Sequence, residues 1–157
     1  MIAGRFADFG MQCEFNPRFA LNPAKDAGLV EARLSMPGLS QYGDVEMLSS
    51  FEISFKDFRY ASPLSVDPKA NEKLKACTAV VTVRMHATPT SAVRVGLFFA
   101  AFLAELTDGI LYTPRSDNYF QATQALEHVL QEVAAYETQL LPEDWSIAPF
   151  ISWPNGK

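Results

Sequence analysis

Residues 78–112, TAVVTVRMHATPTSAVRVGLFFAAFLAELTDGILY, decide the fold class because they join the clearest strand of the chain to its most apolar helix. Apolar and other residues alternate in the first part, and period-two alternation is typical of a half-buried strand. One face is predicted to lie on the core: Ala79, Val81, Val83, Met85 and Ala87. The opposite, mixed face is predicted to be partly exposed: Thr78, Val80, Thr82, Arg84 and His86.

The segment after this strand is predicted to be a buried helix. It begins at Thr88–Pro89, where threonine provides the N-cap and proline takes the first helical position. Between residues 91 and 107 only Arg94, Glu105 and the end residues are polar, and a helix apolar on nearly every side is buried on nearly every side. Gly109 then ends the helix. The expected anchors of the core are Val95, Leu97, Phe98, Phe99, Phe102, Leu103 and Leu106.

The N-terminal half is predicted to form antiparallel strands. Apolar and polar residues alternate over residues 9–15, 30–36 and 45–55. The alternation shifts by one residue near Lys56–Asp57. This shift predicts a β-bulge, because one extra residue reverses the facing of a strand. Residues 63–74 are predicted to be a polar connector.

The C-terminal part is predicted to contain two short strands, a second helix and an extended tail. Residues 110–112 and 119–120 are expected to be strands on either side of a turn, and residues 121–139 carry an apolar stripe at helical spacing. The apolar tail at 145–153 is expected to pack as a last strand or extended segment. The side chains of the second helix that are expected to face solvent are Gln124, Glu127, Gln131, Glu132 and Glu137.

These elements together predict an α+β fold. It has an antiparallel-rich sheet with two helices on one face. From Cys77 onward the order is strand, helix, strand, strand, helix, strand, which is the βαββαβ order of a ferredoxin-like unit. The N-terminal strands would extend that sheet. No linker or repeat divides the sequence, so residues 1–157 are predicted to form a single domain.

Composition and charge limit the classes of partner. The net charge of −5, from 18 acidic against 13 basic residues, disfavours nucleic acid because phosphate binding needs clustered Lys and Arg. The longest apolar run, residues 95–104, is far shorter than the ~20 residues of a membrane span, and the N-terminus lacks the pattern of a signal peptide. Cys13 and Cys77 are expected to be buried free thiols. A cytoplasmic location is therefore predicted.

The spacing of reactive residues favours neither catalysis nor metal binding. Neither His86 nor His128 has a second His or Cys within four residues, and Glu132 beside His128 is interpreted as part of a solvated helix face. No glycine cluster precedes a helix, and no Gly-x-Ser-x-Gly motif occurs. Cys77 near a histidine is the alternative for nucleophilic catalysis. We therefore predict a protein without enzymatic activity, metal or cofactor. Paired carboxylates on or beside the strands are the alternative for glycosidic chemistry, and the candidates are Glu31, Glu46, Glu52 and Asp57.

Two polar segments fit protein binding better. The first is the turn at residues 113–119, because the Arg and Tyr that it contains are enriched at interface hot spots. The second is the acidic and aromatic stretch that begins at residue 143, where tryptophan beside acids would suit a basic groove. An ordinary turn, and tryptophans that cover the edge of the core, are the alternatives. The candidate partner-binding residues are Arg115, Asp117, Tyr119, Glu143, Asp144 and Trp145.

Residues 106–120, LTDGILYTPRSDNYF, resemble a pattern in small bacterial immunity proteins of polymorphic-toxin and type VI secretion systems. In that pattern a helix ends, a strand of the form Gly-apolar-apolar-Tyr-x-Pro follows, and a polar turn leads to another helix. The resemblance covers residues 88–139. It implies a small, non-enzymatic protein that binds a cognate toxin tightly, in the cytoplasm if no signal peptide is present. It assigns no functional residue.

Three functions follow as hypotheses. The first is a protein-binding module, best interpreted as an immunity protein that neutralises a cognate bacterial toxin. The second is a small ligand-binding domain or enzyme on a ferredoxin-like scaffold, with Arg84 and His86 on the mixed strand face as its candidate site. The third is a structural subunit of a secretion or phage assembly. A homodimer is compatible with all three.

Overall fold

The computed structural model describes residues 2–20 and 27–154 and has an α+β fold. Short 3-10 turns lie at Phe6–Phe9, Ser40–Tyr42 and Pro142–Asp144. The α+β class predicted from the sequence is confirmed. In chain order the helices and strands are α1 (Ile2–Arg5), β1 (Gln12–Phe15), β2 (Ala27–Ser35), β3 (Met47–Asp57), α2 (Pro68–Ala76), β4 (Ala79–Met85), α3 (Thr90–Leu106), β5 (Ile110–Thr113), β6 (Asn118–Gln121) and α4 (Ala122–Thr138).

A four-stranded antiparallel sheet in the order β1–β2–β3–β4 forms one layer. Its inner face carries the alternating apolar residues: Val30 lies opposite Phe51, which lies opposite Met85. The central strands β2 and β3 bury these residues completely, whereas β4 lies at the edge and its inner residues are half-buried. The outer face carries mostly polar and charged side chains, because the period of a strand is two.

The core lies between this sheet and α3, which packs against β3, β4 and α4. The Phe99 ring is 4.9 Å from the ring of Phe51 on the sheet, and the Phe102 ring is 5.0 Å from the ring of Phe6. Each large apolar side chain buried in this way contributes roughly 1.5–3 kcal/mol. The predicted role of α3 as the anchor of the core is confirmed, except at Leu106, which is 50% exposed.

The tail at residues 146–150 is an extended segment that lies beside the start of β3. It accepts a 2.8 Å hydrogen bond from the Leu48 N–H, and the Phe150 N–H donates a second 2.8 Å bond to the chain just before β3. At the start of α3, Thr90 and Ser146 exchange two hydrogen bonds of 2.9 Å. The tail therefore ties β3 to α3, and the prediction of an extended segment is confirmed.

The ferredoxin-like arrangement predicted for the C-terminal part is wrong. β5 and β6 form a separate two-stranded hairpin, in which Ile110 lies opposite Gln121 and Thr113 opposite Asn118. The two strands satisfy each other's backbone groups across a short turn, so they close locally without joining the four-stranded sheet. Their pairing is decided by the turn and not by the order of elements along the chain.

Three local predictions are also corrected. The register between β3 and β4 is continuous to Asp57, so no bulge forms; the alternation changes because the strand ends there. The connector contains α2, which begins at Pro68 behind the capping side chain of Asp67. α3 begins at Thr90, with Pro89 as its N-cap, and not at Thr88–Pro89.

Candidate functional site

The turn between β5 and β6 is held by hydrogen bonds among its own residues. The hydroxyls of Thr113 and Ser116 lie 2.8 Å apart, and the Tyr112 hydroxyl donates to the Asp117 carboxylate at 2.9 Å. Asp117 has a φ of 49°, a left-handed conformation that Asp adopts more readily than most residues. The Tyr112 and Tyr119 rings pack 4.8 Å apart. The turn therefore presents its exposed residues in a fixed conformation.

Arg115, at the tip of this turn, contacts the end of α4. Its guanidinium donates a 3.0 Å hydrogen bond to the side-chain oxygen of Gln139, which follows the last residue of the helix. The second predicted binding segment leaves the helix at the same end, since the 3-10 turn Pro142–Asp144 follows three residues later. The structure thus places the two predicted segments at one end of α4.

We call this region the α4-end surface and define it by Arg115, Asp117, Glu143 and Asp144, all of which are exposed. Asp144 has a structural role as well, because its carboxylate accepts a 3.2 Å hydrogen bond from the Leu141 N–H and caps the 3-10 turn. The surface therefore carries one cation and three carboxylates. A polar surface of this kind suits a protein partner with mixed or basic character.

Two of the predicted binding residues lie deeper than expected. The Trp145 ring packs at 81° and 5.2 Å against Tyr42, which is fully buried, so the indole covers the margin of the core. This packing agrees with the alternative interpretation of the tryptophan. Tyr119 is half-buried on the hairpin. Neither ring is presented as an exposed anchor.

The mixed face of β4 brings Arg84 and His86 together on Glu52. The Arg84 Nη1 atom is 3.6 Å, and the His86 Nε2 atom 3.8 Å, from the two oxygens of that carboxylate. All three side chains are largely exposed. Beside them a shallow depression of about 440 Å³ crosses the outer face of the sheet, with Leu29, Glu52, Thr82 and Arg84 in its lining.

His128 and Glu132 on α4 face the hairpin, so the prediction of a solvated helix face is wrong. Their side chains are only 15% and 12% exposed. The His128 Nε2 atom lies 2.9 Å from Thr113 Oγ1 and 2.9 Å from Glu132 Oε2, and the Phe120 ring stacks on the imidazole at 3.7 Å. A hydroxyl–His–carboxylate relay needs the two partners on opposite ring nitrogens. Here both approach the same nitrogen and Thr113 is buried, so the cluster joins the hairpin to α4.

Arg94, Glu137 and Tyr42 form a second buried cluster that sequence reasoning missed. Arg94 donates from Nε at 2.7 Å and from Nη2 at 2.8 Å to the two oxygens of the Glu137 carboxylate, which also accepts a 2.6 Å bond from the Tyr42 hydroxyl. Burial, followed by this hydrogen bond to Glu137, raises the pKa of Tyr42. The expectation that Glu137 faces solvent is wrong. A single arginine within an apolar helix was the available signal, since a buried charge requires a partner.

Neither cysteine has a hydrogen bond to a histidine among the described residues. Cys77 follows α2 and its Sγ atom lies 3.5 Å from the Lys73 carbonyl oxygen. Cys13 is half-buried on β1, and burial, with the nearby Glu14 carboxylate, raises its pKa from 9.0 to about 12. The thiolate is the reactive form of cysteine. Cys13 is therefore held in its unreactive form at neutral pH.

We expect Cys13 to resist alkylation by iodoacetamide in the folded protein at pH 8 and to react once the protein is unfolded in urea, as measured by mass spectrometry of the labelled peptide. Because its pKa is raised on folding, Cys13 stabilises the fold fully below pH 9 and progressively less as the pH rises toward 12. A Cys13→Ala variant should lose this part of the pH dependence. Alkylation at equal rates in the folded and unfolded protein would contradict the assignment.

Among residues 2–20 and 27–154, no group of three His, Cys, Asp or Glu side chains is placed to hold a metal ion. In the same ranges no helix has the length and apolar character required to cross a membrane. Comparison of the chain with protein-family models, curated proteins and solved structures gave no match. The interpretation of function therefore rests on the residues themselves.

Proposed function

We propose that this protein is a non-enzymatic protein-binding module, and specifically an immunity protein that binds and neutralises a cognate bacterial toxin in the cytoplasm. The observation that carries the proposal is the fixed conformation of the exposed hairpin turn next to the end of α4. Arg115 is tied to Gln139, and Asp117 is tied to Tyr112. The resemblance of residues 88–139 to immunity proteins supports the same class.

Preorganisation supports a tight complex because association costs conformational entropy at each side chain that must be ordered. The bonds within the turn order Asp117 during folding, so less of that cost remains when a partner binds. While Arg115 keeps its bond to Gln139, the other N–H groups of the guanidinium can donate to a carboxylate of the toxin, and a charged pair is the stronger hydrogen bond. Glu143, which no described ion pair engages, is open to a basic side chain of the toxin.

The test begins with the partner, which is isolated on the tagged protein from its native cells and identified by mass spectrometry. The proposal requires a stoichiometric complex with one protein whose toxic activity falls when the complex forms. We expect Arg115→Ala to weaken the complex about 30-fold in Kd, equivalent to a loss of about 2 kcal/mol at a hot spot. Binding is measured by isothermal titration calorimetry with the purified partner.

The matched control is Arg59→Ala, which removes an exposed arginine from the segment after β3 and should leave Kd unchanged. Equal weakening by the two variants would indicate a general effect of charge and not a contact at the α4-end surface. A partner that binds without loss of toxic activity would overturn the immunity function.

A ligand-binding domain is the second candidate, and the depression beside Arg84, His86 and Glu52 is the observation that favours it. Its shallow shape counts against it, since small-molecule sites enclose most of the surface of their ligand. The same purification separates the two candidates. A protein recovered alone, with a small molecule bound to the Arg84 face, would favour the second.

A further inference from the structure

β4 is the last strand of the sheet on its side, and its outer edge is unpaired among the described residues. The strand pairs with β3 in a continuous register from Phe51 opposite Met85 to Asp57 opposite Ala79. The Phe58 N–H donates a 2.9 Å hydrogen bond to the Thr78 carbonyl, which places residue 78 in a hydrogen-bonded pair with β3. Such pairs recur at every second residue of an antiparallel ladder.

It follows that the even-numbered residues of β4 direct their backbone groups to β3. The odd-numbered residues, Ala79, Val81, Val83 and Met85, direct theirs to the open edge. No hydrogen bond within residues 2–20 and 27–154 reaches the N–H or C=O groups of these four residues. They form a row of four backbone donors and four acceptors at the surface.

This edge lacks the features that usually prevent strands from associating. Natural edge strands are blunted by proline, bulges or several charged residues. The sequence of β4, AVVTVRM, contains no proline and only one charge, and its register shows no bulge. The one charged residue is Arg84. Its side chain lies on the outer face of the sheet beside Glu52 and does not cover the edge. The edge is therefore open to another strand.

We propose that the occupant is a second copy of this chain, whose β4 pairs antiparallel with the first to form a continuous eight-stranded sheet. The open-edge residues must pair with each other, and one register uses all four: Ala79 opposite Met85, and Val81 opposite Val83, in each direction. Thr82 then lies on the two-fold axis, opposite Thr82 of the second copy. A two-fold interface of this type is closed and limits the assembly to a dimer.

The side chains of β4 are self-complementary in this register. On the inner side the half-buried residues Val81 and Val83 meet and cover one another, which removes apolar surface from water. On the outer side Arg84 lies opposite Val80, which is 40% exposed and can pack against the arginine stem. The two Arg84 side chains do not face each other. A second copy is favoured because this single register pairs all four open-edge residues, brings Val81 onto Val83 and opposes no like charges.

This dimer does not depend on the proposed function, because β4 and the α4-end surface share no residue. The test is the molar mass of the untagged protein, measured by light scattering during size-exclusion chromatography over a range of concentrations. We expect the wild-type mass to approach twice the chain mass of 17.4 kDa as the concentration rises. A mass of one chain at every concentration, or assemblies larger than a dimer, would overturn the proposal.

Variants at Thr82 test the register. Thr82 is exposed, so Thr82→Lys and Thr82→Glu should leave the monomer folded, but each places like charges opposite one another on the axis. Each variant alone should have the mass of one chain, and an equimolar mixture of the two should recover the dimer. The matched control, Thr123→Lys on the exposed face of α4, should remain dimeric. A dimer that persists in Thr82→Lys, or a mixture that stays monomeric, would refute this pairing.

Discussion

Replacement of Phe102 by alanine should lower the free energy of unfolding by about 3–5 kcal/mol. Phe102 is fully buried on α3, and its ring contacts those of Phe6 at 5.0 Å, Phe9 at 5.8 Å and Phe98 at 5.8 Å. The substitution removes the transfer free energy of the ring and leaves a cavity that three other rings can fill only in part. Because domains are typically stable by about 5–15 kcal/mol, the variant is expected to be marginally folded. Urea denaturation followed by circular dichroism measures the loss.

Leu106→Ala is the control for this prediction, since it lies one turn further along α3 and is 50% exposed. It should lose at most about 1 kcal/mol, because half of the side chain already contacts water. Equal losses in the two variants would mean that burial of the Phe102 ring does not determine the effect.

Replacement of Arg94 by leucine should destabilise the protein by about 3–5 kcal/mol, because it leaves the Glu137 carboxylate buried without its cation. The two side chains are only 12% and 10% exposed, so solvent cannot replace the missing partner. Urea denaturation followed by circular dichroism measures the loss.

Removal of the whole cluster should cost less than removal of one member. In the double variant Arg94→Leu/Glu137→Leu no buried charge remains, and only the Tyr42 hydroxyl lacks its acceptor, at a cost of about 1–3 kcal/mol. Adding Tyr42→Phe should recover that part. If the single, double and triple variants lose stability additively, the three residues do not act as one cluster.

The spacing of apolar residues, together with the prolines and glycines between the elements, was sufficient to predict the strands and helices that turn one side toward the core. β3, β4, α3 and α4 follow from alternation or from an apolar pattern at helical spacing, because each of them turns apolar side chains toward the core. α2 was missed because it buries only Ala70 and Leu74, too few residues to form a stripe. Its capping residue Asp67 and the following Pro68 were the local signal that could have found it.

Which strands pair with each other, and which side chains of different helices meet, could not be predicted from the sequence. The hairpin of β5 and β6 was placed in the main sheet because short strands carry no information on which neighbour they bond. The roles of Glu132 and Glu137 were also misjudged. A helical pattern identifies the apolar side of α4. It does not show that Glu132 pairs with His128 of the same helix, or that Glu137 pairs with Arg94 of α3.

The binding role of the α4-end surface stays a prediction. Arg115, Asp117, Glu143 and Asp144 were named from residue type alone, and the contact between Arg115 and Gln139 explains why both segments lie at one end of α4. That contact joins residues 24 positions apart, so no local pattern contains it. Trp145 was also predicted to bind a partner from its residue type, but its ring packs on Tyr42.

The hydrogen bond between Leu48 and Ala148 has a consequence for synthesis of the protein in the cell. The two residues are 100 positions apart, and a ribosome that adds 5–20 residues per second makes the second of them about 5–20 s after the first. Throughout that interval the nascent chain carries the start of β3 without the neighbour that completes it. Any factor that shields nascent chains would meet this protein while the Leu48 N–H still lacks its partner, the Ala148 carbonyl oxygen.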